Sequence, residues 1–172
     1  MKLVPIKKEE FLPFYQKMEA YFIYDERRDY ASSCNVFNHK EFTFYAIEEK
    51  NQNIGFISVW ECKEFTYIEH FAIDTAYRKQ GYGGKAIDMI LNRYPFVILE
   101  IELPEDEMKK KRLHFYEKHG FVQNHFFYVQ PPYHENGNSI PMMILSYPHE
   151  IQDEKSVIQE LYAHVYQVKE RN

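Results

Sequence analysis

Three observations predict a mixed α+β fold. Apolar spacing switches repeatedly between a period of two and a period of three to four. The elements read in the order β, α, β-β-β, α, β, α, β-β, α. One strand–helix–strand unit at the centre contains a helix long enough to return the chain for a parallel strand. The 172 residues suffice for one sizeable core and leave little room for a second. A single domain over 1–172 is therefore expected, with its core at about 41–148 and a helical extension at about 150–171.

Val4 to Ile6 reads as a short first strand. Phe11, Leu12, Phe14, Tyr15, Met18, Tyr21 and Phe22 recur at helical spacing, with Pro13 suited to the first turn. Asp25 to Lys40 loses the pattern and reads as a loop with a short helix. Glu41 to Glu48 and Ile54 to Cys62 form a hairpin about Asn51-Gln52-Asn53, and Phe65 to Ile73 continues the strand run. Ala86, Ile87, Met89, Ile90 and Leu91 mark a helix over Tyr82 to Tyr94 that Pro95 ends. Phe96 to Leu103 returns to strand. Glu105, Asp106 and Glu107 precede the basic run Lys109 to Arg112, and Gly120 closes that segment, the polarity of a dipole-matched helix. Phe121 to Gln130 and Ile140 to Tyr147 read as two strands around the Pro131-Pro132-Tyr133 loop. Glu150 to Arg171 reads as an amphipathic helix.

Composition removes several classes of function. A net charge of −5 lacks the broad attraction to phosphate backbones, so no nucleic-acid partner is expected. Cys34 and Cys62 are the only cysteines and stand far apart, which argues against a disulfide framework or a thiolate zinc site. The eight histidines show no compact ligand spacing, so no metal is expected. No segment approaches the roughly 20 apolar residues of a membrane span, and no secretory leader is evident; a cytoplasmic location with no membrane partner follows as an expectation. The 15 Tyr and 14 Phe suit either an aromatic core or a pocket with flat, partly polar walls.

Arg78-Lys79-Gln80-Gly81-Tyr82-Gly83-Gly84 lies between a strand and a helix, where free N–H groups and the positive end of a helix dipole gather. It reads as a pyrophosphate cradle or as a tight turn that binds nothing. A P-loop needs Ser or Thr after Gly-Lys, and Ala86 follows Lys85. Gly81, Gly83 and Ala86 satisfy G-x-G-x-x-A, with Glu100 and Glu102 about twenty residues further on. However, Asp74 to Gln80 separate the first glycine from its strand, and the chain has one crossover instead of repeated units. The remaining string is R-x-x-G-x-G.

That string resembles the acetyl-CoA loop of the GNAT family of N-acetyltransferases. Phe115-Tyr116-Glu117-Lys118-His119-Gly120-Phe121 is similar to a second motif of that family, and Glu69 to Asp74 stands where its fourth strand would be. The resemblance is specific over residues 65–125 and extends over most of the chain, least clearly at Asp25 to Lys40 and the C-terminal helix. It implies a central mixed, mostly antiparallel sheet in which the strands at Phe71 and Leu99 diverge. Phe71, Ala72 and Ile73 would hold the pantetheine arm through their backbone. Gln80, Gly81, Tyr82, Gly83 and Gly84 would wrap the pyrophosphate, with Arg78 and Lys79 adding charge. The implied function is direct acetyl transfer from acetyl-CoA, as cosubstrate, to a primary amine of a small molecule or peptide, by a monomer or homodimer without a metal. A family Asn expected seven residues before the Tyr is replaced by Lys109. A noncatalytic acyl-CoA sensor is the alternative.

Amide formation on a thioester needs a neutral amine and a proton donor for the departing thiolate. Tyr116 matches the family's acid. For the base, strand parity sets Glu100 and Glu102 on one face, opposite Val97, Leu99, Ile101 and Leu103. Carboxylates on a central strand indicate a cleft, an edge or a salt bridge. Glu69, suggested by the resemblance, and Glu102 are candidates of equal standing.

Overall fold

The computed structural model describes residues 1–168. Period-two apolar runs build eight strands: β1 (Lys2–Pro5), β2 (Phe42–Glu49), β3 (Gln52–Glu61), β4 (Thr66–Ile73), β5 (Val97–Glu102), β6 (Val122–Gln123), β7 (Tyr128–Gln130) and β8 (Ile140–Tyr147). The helices are α1 (Leu12–Tyr21), α2 (Tyr30–Val36), α3 (Tyr82–Arg93), α4 (Glu107–Lys118) and α5 (Glu154–Glu160), the last running into a π-helical turn at Leu161–Val165. The strands form one sheet in the order β1-β2-β3-β4-β5-β8-β6, with β7 also on β8. Every pairing is antiparallel except β4 with β5.

Alternation sends neighbouring side chains to opposite faces, so the sheet has a core on each side. Ile57, Val59, Ile68, Leu99 and Ile101 pack with Ile87 and Ile90 of α3 and Tyr116 of α4. On the other face Trp60, Tyr67, Ile98 and Ile144 pack with Val36 of α2 and with Val157, Leu161 and Val165 at the C-terminal end. Phe11, Tyr15 and Met18, from α1 and the residue before it, extend that layer over Phe44 and Phe56.

The parallel pair positions the site. β4 and β5 are in register only over Thr66, Tyr67 and Ile68 against Val97, Ile98 and Leu99. Beyond that point both strands continue without pairing to each other. β4 meanwhile stays on β3, where the register slips by one residue between Ser58↔His70 and Val59↔Ile68. The residue left over is Glu69. A bulge of this kind bends its strand and redirects a side chain, and it lies at the residue where β4 leaves β5.

Most elements fall where periodicity places them, and two do not. The expected strand Phe121 to Gln130 is broken into β6 and β7. Buried Asn124 interrupts it: its side-chain amide donates to the Ile144 carbonyl and to Ser146 Oγ, while its Oδ1 accepts from the Ile151 N–H at 2.8 Å. The expected helix Glu150 to Arg171 begins only at Glu154, under an Asp153 cap, and ends in the π turn; 169–171 lie outside the described residues. Among the described residues no helix is long and apolar enough to cross a membrane.

Candidate active site

The gap between the free ends of β4 and β5 opens toward the glycine turn. Asp74 N–H donates to the Ile54 carbonyl, which directs the backbone groups of residue 74 to β3. Alternation then directs those of Ala72 to β3 as well, and turns those of Phe71 and Ile73 into the gap. The Ile73 carbonyl is taken by Arg78 Nε at 2.8 Å. Of the three residues expected to grip an arm through their backbone, Phe71 and Ile73 are oriented for it. Ala72 is not, because its amide and carbonyl serve the β3 ladder.

The turn itself is shaped for an anion. Lys79 and Gly81 both have left-handed φ, at 60° and 81°, and Gly81 caps α3. Among the described residues the N–H groups of Gln80, Gly81, Tyr82, Gly83 and Gly84 make no hydrogen bond within the protein; the first bonded amide is that of Lys85, to the Gly81 carbonyl. A Cβ on Gly84 would stand 2.8 Å from His119, so the glycine admits close approach of backbone there. Five unpaired amides at a helix N-terminus fit a pyrophosphate. Two side chains of the turn are committed locally: Arg78 lies over the Tyr21 ring at 5.0 Å, and Gln80 donates to the Ala76 carbonyl. Gln80 therefore offers its backbone only. Lys109, in the place of the family Asn, pairs with Glu102 at 3.6 Å and Glu105 at 3.7 Å.

Tyr116 rises from α4 into the layer beneath β5, edge-on to Phe115 and Phe121. Burial pushes its hydroxyl up to about 12, with Arg112 opposing. Among the described residues that hydroxyl has no hydrogen-bond partner, and no sealed polar side-chain atom lacks one, so the Tyr116 oxygen reaches accessible space. A thiol titrates near 8.5, so full proton transfer from such a tyrosine is strongly uphill. Donating a hydrogen bond to developing sulfur charge suits it better.

The three carboxylates of the splayed segment differ sharply. Glu69 is sealed, its side chain 1% exposed. It pairs with Arg28, accepts from Trp60 Nε1 at 2.8 Å and accepts from the Tyr133 hydroxyl at 3.0 Å. Burial would raise its pKa, but Arg28, His70 and the Trp60 bond outweigh it and hold Glu69 below the ordinary carboxylate range. Burial lowers the pKa of His70 against the pull of Glu69, and its Nε2 donates to the Glu26 carbonyl at 2.9 Å. The expectation that Glu69 acts as base is corrected here: an ion-paired, acid-shifted carboxylate has little affinity for a proton. Glu102 is engaged by two cations, Arg112 at 2.9 Å and Lys109 at 3.6 Å.

Glu100 is the exception. It shares a face with Ile98 and lies one residue past the last β4–β5 pair, with three tyrosines around it. Its Oε1 accepts from Tyr128 at 2.6 Å, and Tyr166 reaches both oxygens at 3.0 and 2.9 Å. Burial raises its pKa to about 7; the tyrosine hydrogen bonds pull it down and the Glu69 charge pushes it up. A group poised near neutrality can take a proton and release it.

Sequence reasoning noted the parity of Glu100 but ranked Glu69 and Glu102 above it, and it missed Arg28 and Tyr166. Arg28 lies in the segment read as loop, immediately before the Asp29 cap that starts α2. Its signal is indirect: a glutamate buried on a central strand requires a cation, and the chain between the first helix and the hairpin contains two arginines.

A family model described as "Acetyltransferase (GNAT) domain" matches residues 40–123. The solved structure of a GNAT-family protein from Bacteroides thetaiotaomicron superposes on 98% of this chain and 100% of its own, with a TM-score of 0.89 and 30% identity. The Bacillus subtilis (strain 168) protein YjbC is 26% identical over 110 residues, which is 63% of this chain; the match spans 56% of that relative's length. Arabidopsis thaliana NAA60 in complex with acetyl-CoA has the same fold, with a TM-score of 0.61 over 85% of this chain and 97% of its own at 15% identity.

Proposed function

This chain belongs to the GNAT family of acetyl-CoA-dependent N-acetyltransferases, and we propose that it transfers acetyl directly from acetyl-CoA to a primary amine of a small molecule or peptide, acting as one domain. The observation that carries this reading is the splay of β4 from β5 at the Glu69 bulge, with unpaired amides at its open end. The Gln80 to Gly84 N–H groups would receive the pyrophosphate, and Phe71 and Ile73 would bond the arm that runs between the strands. Acetyl-CoA supplies the activated acyl carbon.

The two faces of the sheet divide the chemistry. Tyr116 approaches the gap from the α3–α4 side, where its hydroxyl donates to the departing sulfur. Glu100 projects to the opposite side, among Tyr128 and Tyr166, and takes the proton of the attacking nitrogen. A lysine-like amine has a reference pKa near 10.4, so presenting it neutral at pH 7 costs about 5 kcal/mol. That first proton leaves before attack; a carboxylate near 7 takes the second, which becomes acidic as attack places positive charge on the nitrogen.

Release of thiol from acetyl-CoA, measured across primary amines of differing charge, tests the reading. Turnover with at least one amine is expected, and Tyr116→Phe should lower it about 10- to 100-fold without weakening CoA binding. Thermal stabilisation by CoA with no thiol release for any amine would favour an acyl-CoA sensor instead.

A further inference from the structure

The C-terminal segment does more than cover the sheet. The π turn closes with the Tyr166 N–H on the Leu161 carbonyl at 3.0 Å, an i to i+5 bond that resets the helical phase. The turn directs two groups inward. The Val165 carbonyl accepts from Arg28 Nη2, and the Tyr166 hydroxyl reaches both oxygens of Glu100 as well as the Tyr67 hydroxyl at 3.0 Å. The Tyr166 ring packs against Tyr133 at 5.2 Å, and Tyr133 in turn donates to Glu69. One segment, far from the gap in sequence, thus touches Glu100 directly and reaches Glu69 through Arg28 and Tyr133.

We propose that Tyr166 is a positioning residue whose hydroxyl holds the Glu100 carboxylate in its ionised, proton-accepting form inside the gap. The proposal rests on the reading of Glu100 as the base. Glu100 is faced from β4 by Tyr67 and Glu69, from β7 by Tyr128, from the β7–β8 loop by Tyr133, and from the C-terminal segment by Tyr162 and Tyr166. Of these, Glu69 opposes ionisation of Glu100, and its charge is already matched by Arg28. Tyr128 bonds one oxygen of Glu100, whereas the Tyr166 hydroxyl lies within hydrogen-bond distance of both. Donors to the charged form favour that form. Removing the Tyr166 hydroxyl while keeping its ring therefore makes Glu100 harder to ionise.

The test compares pH–rate profiles of the full-length chain and its Tyr166→Phe variant, by thiol release from acetyl-CoA. Rate should rise with pH as Glu100 ionises. In Tyr166→Phe the midpoint of that rise should move up by about one pH unit, while the rate at high pH stays within about threefold of the parent. An unchanged midpoint, whether or not the plateau falls, overturns the proposal. A separate arm needs no turnover: infrared difference spectra between pH 5 and pH 9 follow the buried carboxyl stretch, assigned by its loss in Glu100→Gln. The Glu100 titration should shift upward by the same amount in Tyr166→Phe, and an unshifted titration overturns the proposal. Should Glu100→Gln retain the parent's rate, the reading of Glu100 as base fails, and the infrared arm alone then decides what Tyr166 does to it.

Discussion

The two ends of the β4–β5 pair contrast over a few residues. At the paired end, Thr66 to Ile68 and Val97 to Leu99 exchange backbone hydrogen bonds and bury apolar side chains on both faces. At the open end, the same strands carry Glu69, Glu100 and Glu102, leave the backbone of Phe71 unpaired on the β5 side, and draw side chains from the segment before α2, the β7–β8 loop and the C-terminal segment. The paired end has the properties of a core, and the open end those of a built polar site. One inserted residue, Glu69, separates them. Stability and chemistry should therefore separate on mutation at the same boundary.

The largest expected effect breaks the open end chemically. Glu100→Gln should lower turnover by about 10²- to 10⁴-fold, the usual contribution of a positioned general base. The same change should stabilise the fold. Glu100 titrates at about 7 in the native state against 4.5 ordinarily. The native state thus binds the proton more tightly, and the stability this confers is present at acid pH and lost as pH rises toward and through 7. Up to about 3 kcal/mol is lost by pH 8 on this account. Urea denaturation of Glu100→Gln should show a gain of that order at pH 8 that vanishes by about pH 4. Equal stability at both values would mean that Glu100 carries no buried charge.

How much of this contrast could be read in advance depends on whether the signal is local. The R-x-x-G-x-G turn, the ends of α3 and α4 and the central crossover are set by backbone rules within a few residues, and they lie as expected. Even the splay was expected from the family resemblance. The ranking of carboxylates was not recoverable, because it depends on partners 41 residues away at Arg28 and 66 away at Tyr166. Parity placed Glu100 and Glu102 on one side of β5. Parity cannot show that Arg112 pairs with one while tyrosines surround the other. Likewise, no local pattern distinguishes the π turn from an ordinary helix end; its Val165 carbonyl meets Arg28, a partner far away in the chain.

A second test probes the boundary itself. Arg28→Ala leaves Glu69 sealed without its cation, and also removes the guanidinium that stacks on Tyr133 at 4.7 Å. Breaking a buried pair from one side typically costs about 3–5 kcal/mol. The loss should be smaller at pH 5 than at pH 8, since an unpaired, desolvated Glu69 can take up a proton as pH falls. Urea midpoints at the two pH values measure this. A loss below about 1 kcal/mol at pH 8 would show that water reaches Glu69 and that the bulge is not sealed.

The smallest effect belongs to the paired end, and it sharpens the comparison because it should leave the chemistry alone. Ile98 is fully buried between Tyr67 and Ile144, in register with Tyr67 and Ser146. Ile98→Val removes one methylene from that layer and should cost about 1 kcal/mol, by transfer and incomplete collapse of the space left behind. Its backbone bonds are unaffected, and the bulge at Glu69 is fixed by β3, not by β5. The rate of thiol release and its pH midpoint should therefore match the parent within about twofold at temperatures where both are folded. A shifted pH midpoint in Ile98→Val would mean that packing two residues away reaches Glu100, so that the paired and open ends act as one unit and the boundary at Glu69 has no energetic meaning.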